Sequence, residues 1–227
     1  MQIFIAVAVA LALTEVAVLS TSIYLHRGLA HRSLEIHPAA GVLFRVILWL
    51  TTGQSRQEWV AVHRKHHAFT DCEGDPHRAP DVAPDRLDRV FFSRGVLGLA
   101  VGLGALCVLL GSRVGLLAGG LPAVLYVVVL APLINTVGHW RGRRTYDNTA
   151  RNSIVLAWVT AGESLHNNHH AHPRAPKFSV RPREFDPSWP VIRALAALGL
   201  LTIGTMPVRL GRAPSRSPAS QRAEPPR

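Results

Sequence analysis

Residues 63–67 read HRKHH, placing His63, Arg64, Lys65, His66 and His67 side by side. So many cationic or potentially cationic groups in one short run repel one another, so the run needs either solvent or a ligand that wants imidazole. A second run, HNNHH at 166–170, repeats the spacing with His166, His169 and His170. On a helix, offsets of three and four residues share a face, so each run is expected to aim three imidazoles at one place. A single cluster reads equally well as a solvated polar patch; repetition of the spacing argues against that. HRGLAHR at 26–32 adds His26 and His31, five apart. That offset turns about 140° on an α-helix, so this pair either grips different metals or straddles a helix end. NTVGHW at 135–140 adds His139, with Asn135 on the same helical face.

These nine histidines (His26, His31, His63, His66, His67, His139, His166, His169 and His170) exceed what one metal can take. Two metals with four or five nitrogen ligands each is the economical arrangement. Imidazole suits zinc, copper, iron and nickel alike. The neighbouring apolar segments narrow the choice, because an open site at a lipid surface suits oxygen activation by iron on an acyl chain.

The apolar fraction is 48% while the formal net charge is +11, a combination that separates apolar blocks from basic ones. Ile3–Ile23 spans roughly 31 Å as a helix, enough to cross a bilayer. It is read as a retained helix and not a cleaved signal, because no Lys or Arg precedes it. Ala39–Thr52 is short and carries Arg45, which fits an interfacial helix. Val96–Leu110 and Val114–Val137 read as a hairpin turning at Gly111–Arg113, with Pro122 and Pro132 kinking its return arm. Val191–Gly204, with Arg193, reads as a second interfacial helix. Three crossings leave every histidine-rich segment on one side, and Arg113 alone marks the other, so the shared side is the cytoplasm. The expected fold is an all-α integral membrane protein with about three transmembrane helices, interfacial helices and a cytoplasmic histidine-rich di-metal cap. Residues 1–206 form the membrane unit, and 207–227 a disordered basic tail rich in Pro, Ser and Arg. No basic stripe interleaved with aromatics points to nucleic acid. Cys72 and Cys107 lie in unlike surroundings and are not expected to pair.

The ordered set HRGLAHR, HRKHH followed by FTDCEGDPH, NTVGHW and GESLHNNHH resembles the membrane fatty acyl desaturase family, specifically its acyl-CoA (stearoyl-CoA type) branch, up to about residue 189. The resemblance implies two iron ions held by the nine histidines. With O2 as co-substrate, an oxidant abstracts one hydrogen and then its neighbour from a saturated acyl chain, leaving a cis double bond at a delta-9-like position. It implies that Asn135 reaches one iron through water and that Trp59 lines the acyl tunnel. It also implies an acyl-CoA or acyl-carrier substrate, a bacterial-type inner membrane, and a ferredoxin-like electron donor with its reductase, drawn to a basic face. Relatives carry a further membrane helix before the first histidine pair and a longer loop around 78–94; Ser164 and Leu165 also depart from the pattern.

Asp71, four residues after His67, can orient an imidazole or end a helix, and Asp75 reads as a turn residue. Glu163 is expected to support His166. His37, His77 and His172 are read as solvated. Arg64 and Lys65 are assigned to headgroup or donor contacts. Two other functions fit the same histidines: a related di-iron lipid hydroxylase, and a non-enzymatic membrane metal carrier.

Overall fold

A computed structural model describes residues 1–70, 82–126 and 138–205 of the chain. The architecture is a layer of long apolar helices joined to a compact cap of short helices and loops. Helix α1 (Gln2–Ser20) continues into a π-helical segment (Thr21–Ala30). After strand β1 (Leu34–Ile36) come α2 (Pro38–Thr51) and α3 (Arg56–Thr70). A second π-helical turn (Asp88–Phe92) leads into α4 (Gly95–Leu110) and α5 (Ser112–Val124). The cap holds α6 (Gly138–Trp140), α7 (Ile154–Ala157) and α8 (His166–Ala171), followed by α9 (Ser188–Ala197) and β2 (Leu201–Ile203).

Helices α1, α2, α4 and α5 pack on one another through small residues. On α1 the buried face carries Ala6, Ala10, Thr14 and Ala17, four and three residues apart. Where α4 crosses α2, a Cβ built on Gly98 would lie 2.3 Å from the carbonyl oxygen of Trp49, and one on Gly102 equally close to that of Leu50. Only glycine permits that approach, as in helix pairs that meet inside lipid. The outward faces are apolar and bare: Val96 is 84% exposed and Val108 85%. Exposed apolar surface on this scale marks contact with a partner or a bilayer.

Gln2–Ala30 is the one helix among the described residues long and apolar enough to cross a membrane. The expected three crossings are therefore not shown. Val96–Leu110 falls within α4, whose 16 residues rise about 24 Å. Of Val114–Val137, residues up to Tyr126 are described. The hairpin turn at Gly111 is present, with φ +81° between α4 and α5. Two further expectations change. Val191–Gly204 is not one interfacial helix, because α9 stops at Ala197 and a turn through Gly199 (φ +71°) releases the chain into β2. The fold is also not purely helical. β2 pairs antiparallel with β1, Leu34 facing Ile203 and Ile36 facing Leu201. Their apolar side chains close over Ile23 and Ile192. The tail assigned to 207–227, together with Cys72, Asp75, His77 and Pro132, lies outside the described residues.

Candidate metal centre

The π-helical end of α1 settles how His26 and His31 relate. An i→i+5 hydrogen bond, from His31 N to His26 O at 3.0 Å, widens the turn so that residues five apart stack. The two rings lie 4.8 Å apart and serve one group. The α-helical expectation of about 140° between them fails because this segment is not α-helical.

All nine predicted histidines come together, in two adjacent sets. His26, His31, His63, His67 and His169 form one, and His66, His139, His166 and His170 the other; within each, the candidate ligand atoms all lie within 4.8 Å of one another. Separations between Nε2 atoms include 2.8 Å for His31 and His63, and 3.0 Å for His26–His169, His169–His67 and His170–His166. Two nitrogens bound at a right angle to one metal, each at about 2.1 Å, are separated by about 3 Å. The donor set therefore fits metal ions. The sets touch through stacked His67 and His170, with ring centroids 4.4 Å apart.

Neither run keeps its three imidazoles together, contrary to expectation. In α3 the i,i+4 pair His63 and His67 joins the five-membered set while His66, at i+3, joins the other. In α8 the pair His166 and His170 joins the four-membered set and His169 crosses over. On an α-helix the i+4 side chain lies about 40° from residue i and the i+3 about 60° the other way. Each helix thus gives a pair to one position and a single ligand to its neighbour.

Burial first, and then the charge of neighbouring imidazoles, lowers the pKa of His31, His63, His166 and His169 well below the usual histidine range. Neutral rings keep a lone pair for a metal.

Glu163 supports His26 and not His166. One carboxylate oxygen sits 2.5 Å from His26 Nδ1, and the other accepts from the Ser22 hydroxyl and from Arg27 at 3.4 Å. The chain reaches this place through Ala161 at φ +51° and Gly162 at φ +88°, where a Cβ on Gly162 would meet Asp186 Oδ1 at 2.4 Å. Burial alone would raise the Glu163 pKa. The charges of His26 and Arg27 and the Ser22 hydroxyl overcome that and hold it below its ordinary value.

Trp59 stacks on His63, with centroids 4.8 Å apart and planes 11° from parallel. It also packs against the Tyr24, Leu25 and Leu48 cluster, so it lies between the metal centre and the helical layer. Asn135 and Asp71 fall outside the described residues. His37 caps α2, its Nδ1 accepting from Ala39 N, and His172 packs on Tyr146; neither belongs to a set.

Sequence reasoning missed the groups that fasten the ligands. Asn167 Oδ1 accepts from the backbone N–H groups of Thr145 and Tyr146, and its Nδ2 donates to Tyr146 O, Ala150 O and Asn148 Oδ1. Asn168 donates to Phe178 O and Glu184, and accepts from Asn152. The signal was in the motif itself. When i, i+3 and i+4 of HNNHH face the metals, the two asparagines between them must face the other way, into the cap. Arg27, at the end of an apolar helix and beside His26, carried a similar signal.

A helical layer with apolar outer faces carries two converging imidazole sets whose donor atoms are close enough to share metal ions. Scanned against protein-family models, the chain matches none. Among curated proteins it is 31% identical over 224 residues to a delta-9 acyl-lipid desaturase of Arabidopsis thaliana, covering 86% of this chain and 73% of that protein. An sn-1 stearoyl-lipid 9-desaturase of Synechocystis is 26% identical over 202 residues, 77% of this chain and 64% of that one. An acyl-CoA 5-desaturase of Anemone leveillei is 28% identical over 214 residues, 82% and 67%. The chain belongs to the fatty acyl desaturase family, and is an oxidoreductase of lipid metabolism.

Proposed function

We propose that residues 1–206 form an oxygen-dependent di-iron desaturase that introduces a cis double bond at a delta-9-like position of a saturated acyl chain. The observation that carries this reading is the sorting of nine imidazoles into sets of five and four, in a chain whose relatives are named desaturases. The five and the four each hold one iron. Bound iron supplies the reduction of O2 to an oxidant able to take hydrogen from an unactivated methylene. The balance is one CH2–CH2 unit, O2, two electrons and two protons giving CH=CH and two waters.

The protein's own part is placement. Trp59, against His63, flanks the acyl path and presents one pair of carbons to the metals. Exposed Arg141, Arg143 and Arg144, two to five residues after His139, suit an acidic ferredoxin-like donor delivering electrons with its reductase. Three membrane crossings put this cap on the cytoplasmic face of a bacterial-type inner membrane.

The acyl group is assigned to CoA. A second reading, an acyl chain on a glycerolipid, is favoured by the names of two relatives. Expression in a host lacking desaturases, followed by double-bond mapping, tests the activity; mono-unsaturated C16 or C18 chains are expected, and solely hydroxylated chains reject it. Purified enzyme given stearoyl-CoA in one arm and vesicles of distearoyl phosphatidylcholine in the other decides the carrier.

A further inference from the structure

Arg27 is fully buried in the cap although nothing in the reaction calls for a buried guanidinium. Burying an ion is costly unless it is paired and hydrogen-bonded; both terminal nitrogens of this one are, while its buried Nε has no hydrogen-bond partner among the described residues. Its Nη2 donates to Asp186 Oδ2 at 2.9 Å. Its Nη1 donates to the Ser22 hydroxyl and lies 3.4 Å from Glu163 Oε1. The guanidinium carbon sits 3.7 Å over the ring of Phe178. Asp186, also buried, accepts in addition from the backbone N–H of Phe178 at 2.9 Å and of Ser188 at 3.1 Å. The arrangement ends on the metal centre twice. Glu163 touches His26 at Nδ1, the nitrogen opposite the one facing His169, and Phe178 lies 5.4 Å from the His26 ring and 4.7 Å from the His169 ring.

We infer that Arg27 and Asp186 are positioning residues for the five-histidine set: Asp186 aims Arg27, Arg27 holds the Glu163 carboxylate on His26 Nδ1, and that contact fixes the tautomer and orientation of one iron ligand. The inference rests on reading the two sets as iron sites. The physical reason is general. A ligating imidazole whose second nitrogen donates to a carboxylate has its metal-facing lone pair fixed in direction and made more basic. The effect acts on one metal position, because the histidine that Glu163 contacts belongs to the five-histidine set. A purely architectural role would instead hold the end of α1 against the Ser188 turn, and both positions would suffer together when it failed.

The test uses full-length enzyme loaded with ⁵⁷Fe in detergent, with folding checked by circular dichroism and gel filtration. Glu163→Gln keeps the side chain's size and removes its charge. Chelator competition is expected to show one of the two irons bound about 10–100-fold more weakly and the other unchanged, with one Mössbauer doublet altered. Arg27→Lys is expected to weaken the same iron by less, since an ammonium cannot reach Asp186 and Glu163 as a fork does. The double variant is expected to match Glu163→Gln alone, because Arg27 acts through that carboxylate. Should Arg27→Lys fail to fold, Asp186→Asn takes its place in the same cycle. Equal weakening of both irons, no weakening, or additive losses in the double variant would overturn the inference. Wild-type enzyme holding fewer than two irons would instead overturn the di-iron reading.

Discussion

The helical layer and the cap are built by opposite rules. Where α4 meets α2 and α5, backbone approaches backbone across glycine, and many outward side chains are exposed and apolar. In the cap almost every fastening contact is polar, and the buried residues include Arg27, Asn152, Glu163, Asn167, Asn168 and Asp186. Lipid offers the layer no hydrophobic drive between helices, so close packing must hold it. The cap has to hold nine polar rings at fixed angles, and only directional bonds can do so. The layer is therefore expected to fail by steric insertion and the cap by loss of a single polar atom.

The sharpest test of the cap is Asn167→Ala. It removes five hydrogen bonds at once and leaves the backbone N–H groups of Thr145 and Tyr146 buried without their acceptor. With each stranded group costing about 1–3 kcal/mol, the expected loss is about 3 kcal/mol or more of stability. Thermal unfolding of purified protein measures it, and four-histidine metal binding is expected to fall with it. A loss below about 1 kcal/mol would show that the cap is not held as described.

The layer has its counterpart in Gly98→Ala. One methyl group there would lie 2.3 Å from a backbone carbonyl of α2, which cannot swing aside as a side chain can. Parting α2 from α4 is expected to cost about 1–3 kcal/mol, the usual penalty for overpacking. Leu116→Ala, on the exposed face of α5, serves as the control and is expected to stay within about 0.5 kcal/mol. If the two variants unfold alike, the layer is not glycine-packed.

The contrast also explains what the chain's letters disclosed. The identities of all nine converging histidines were readable, because spacing of three and four residues survives folding as shared direction. Their division into sets was not, since the same 100° per residue that puts three rings on one side of a helix spreads them widely enough to divide between two clusters. The His26–His31 pairing was hidden by a π-helical segment that no spacing rule announces. The partner of Glu163 was hidden by two successive left-handed residues, Ala161 and Gly162, that turn the chain away from His166 and toward α1. In the layer, apolar runs disclosed helices but not their ends, and β1 and β2 are three residues each, too short for any alternation to show.

Between layer and cap lies a clasp whose response to acid can be separated from that of the metal ligands. Arg45 of α2 reaches Asp85 at 2.8 Å and Asp88 at 2.6 Å, and Arg56 of α3 reaches Asp88 within 2.9 Å through Nε. Gln57 donates to the same carboxylate. Burial would raise the Asp88 pKa, but the Arg56 guanidinium, the Asp85 backbone and Arg45 together hold it below the ordinary carboxylate value. A carboxylate with a depressed folded-state pKa stabilises fully above its unfolded pKa of about 4 and loses that contribution as pH falls through and below it. Acid also protonates imidazoles, so the melting temperature of the enzyme alone is not diagnostic. The difference in melting temperature between wild type and Asp88→Asn is diagnostic, because every other group cancels. It is expected to be a few degrees at pH 7, and to shrink steadily below about pH 4. A difference that stays constant across that range would mean that Asp88 acts through shape and not charge, and that the clasp is built like the layer after all.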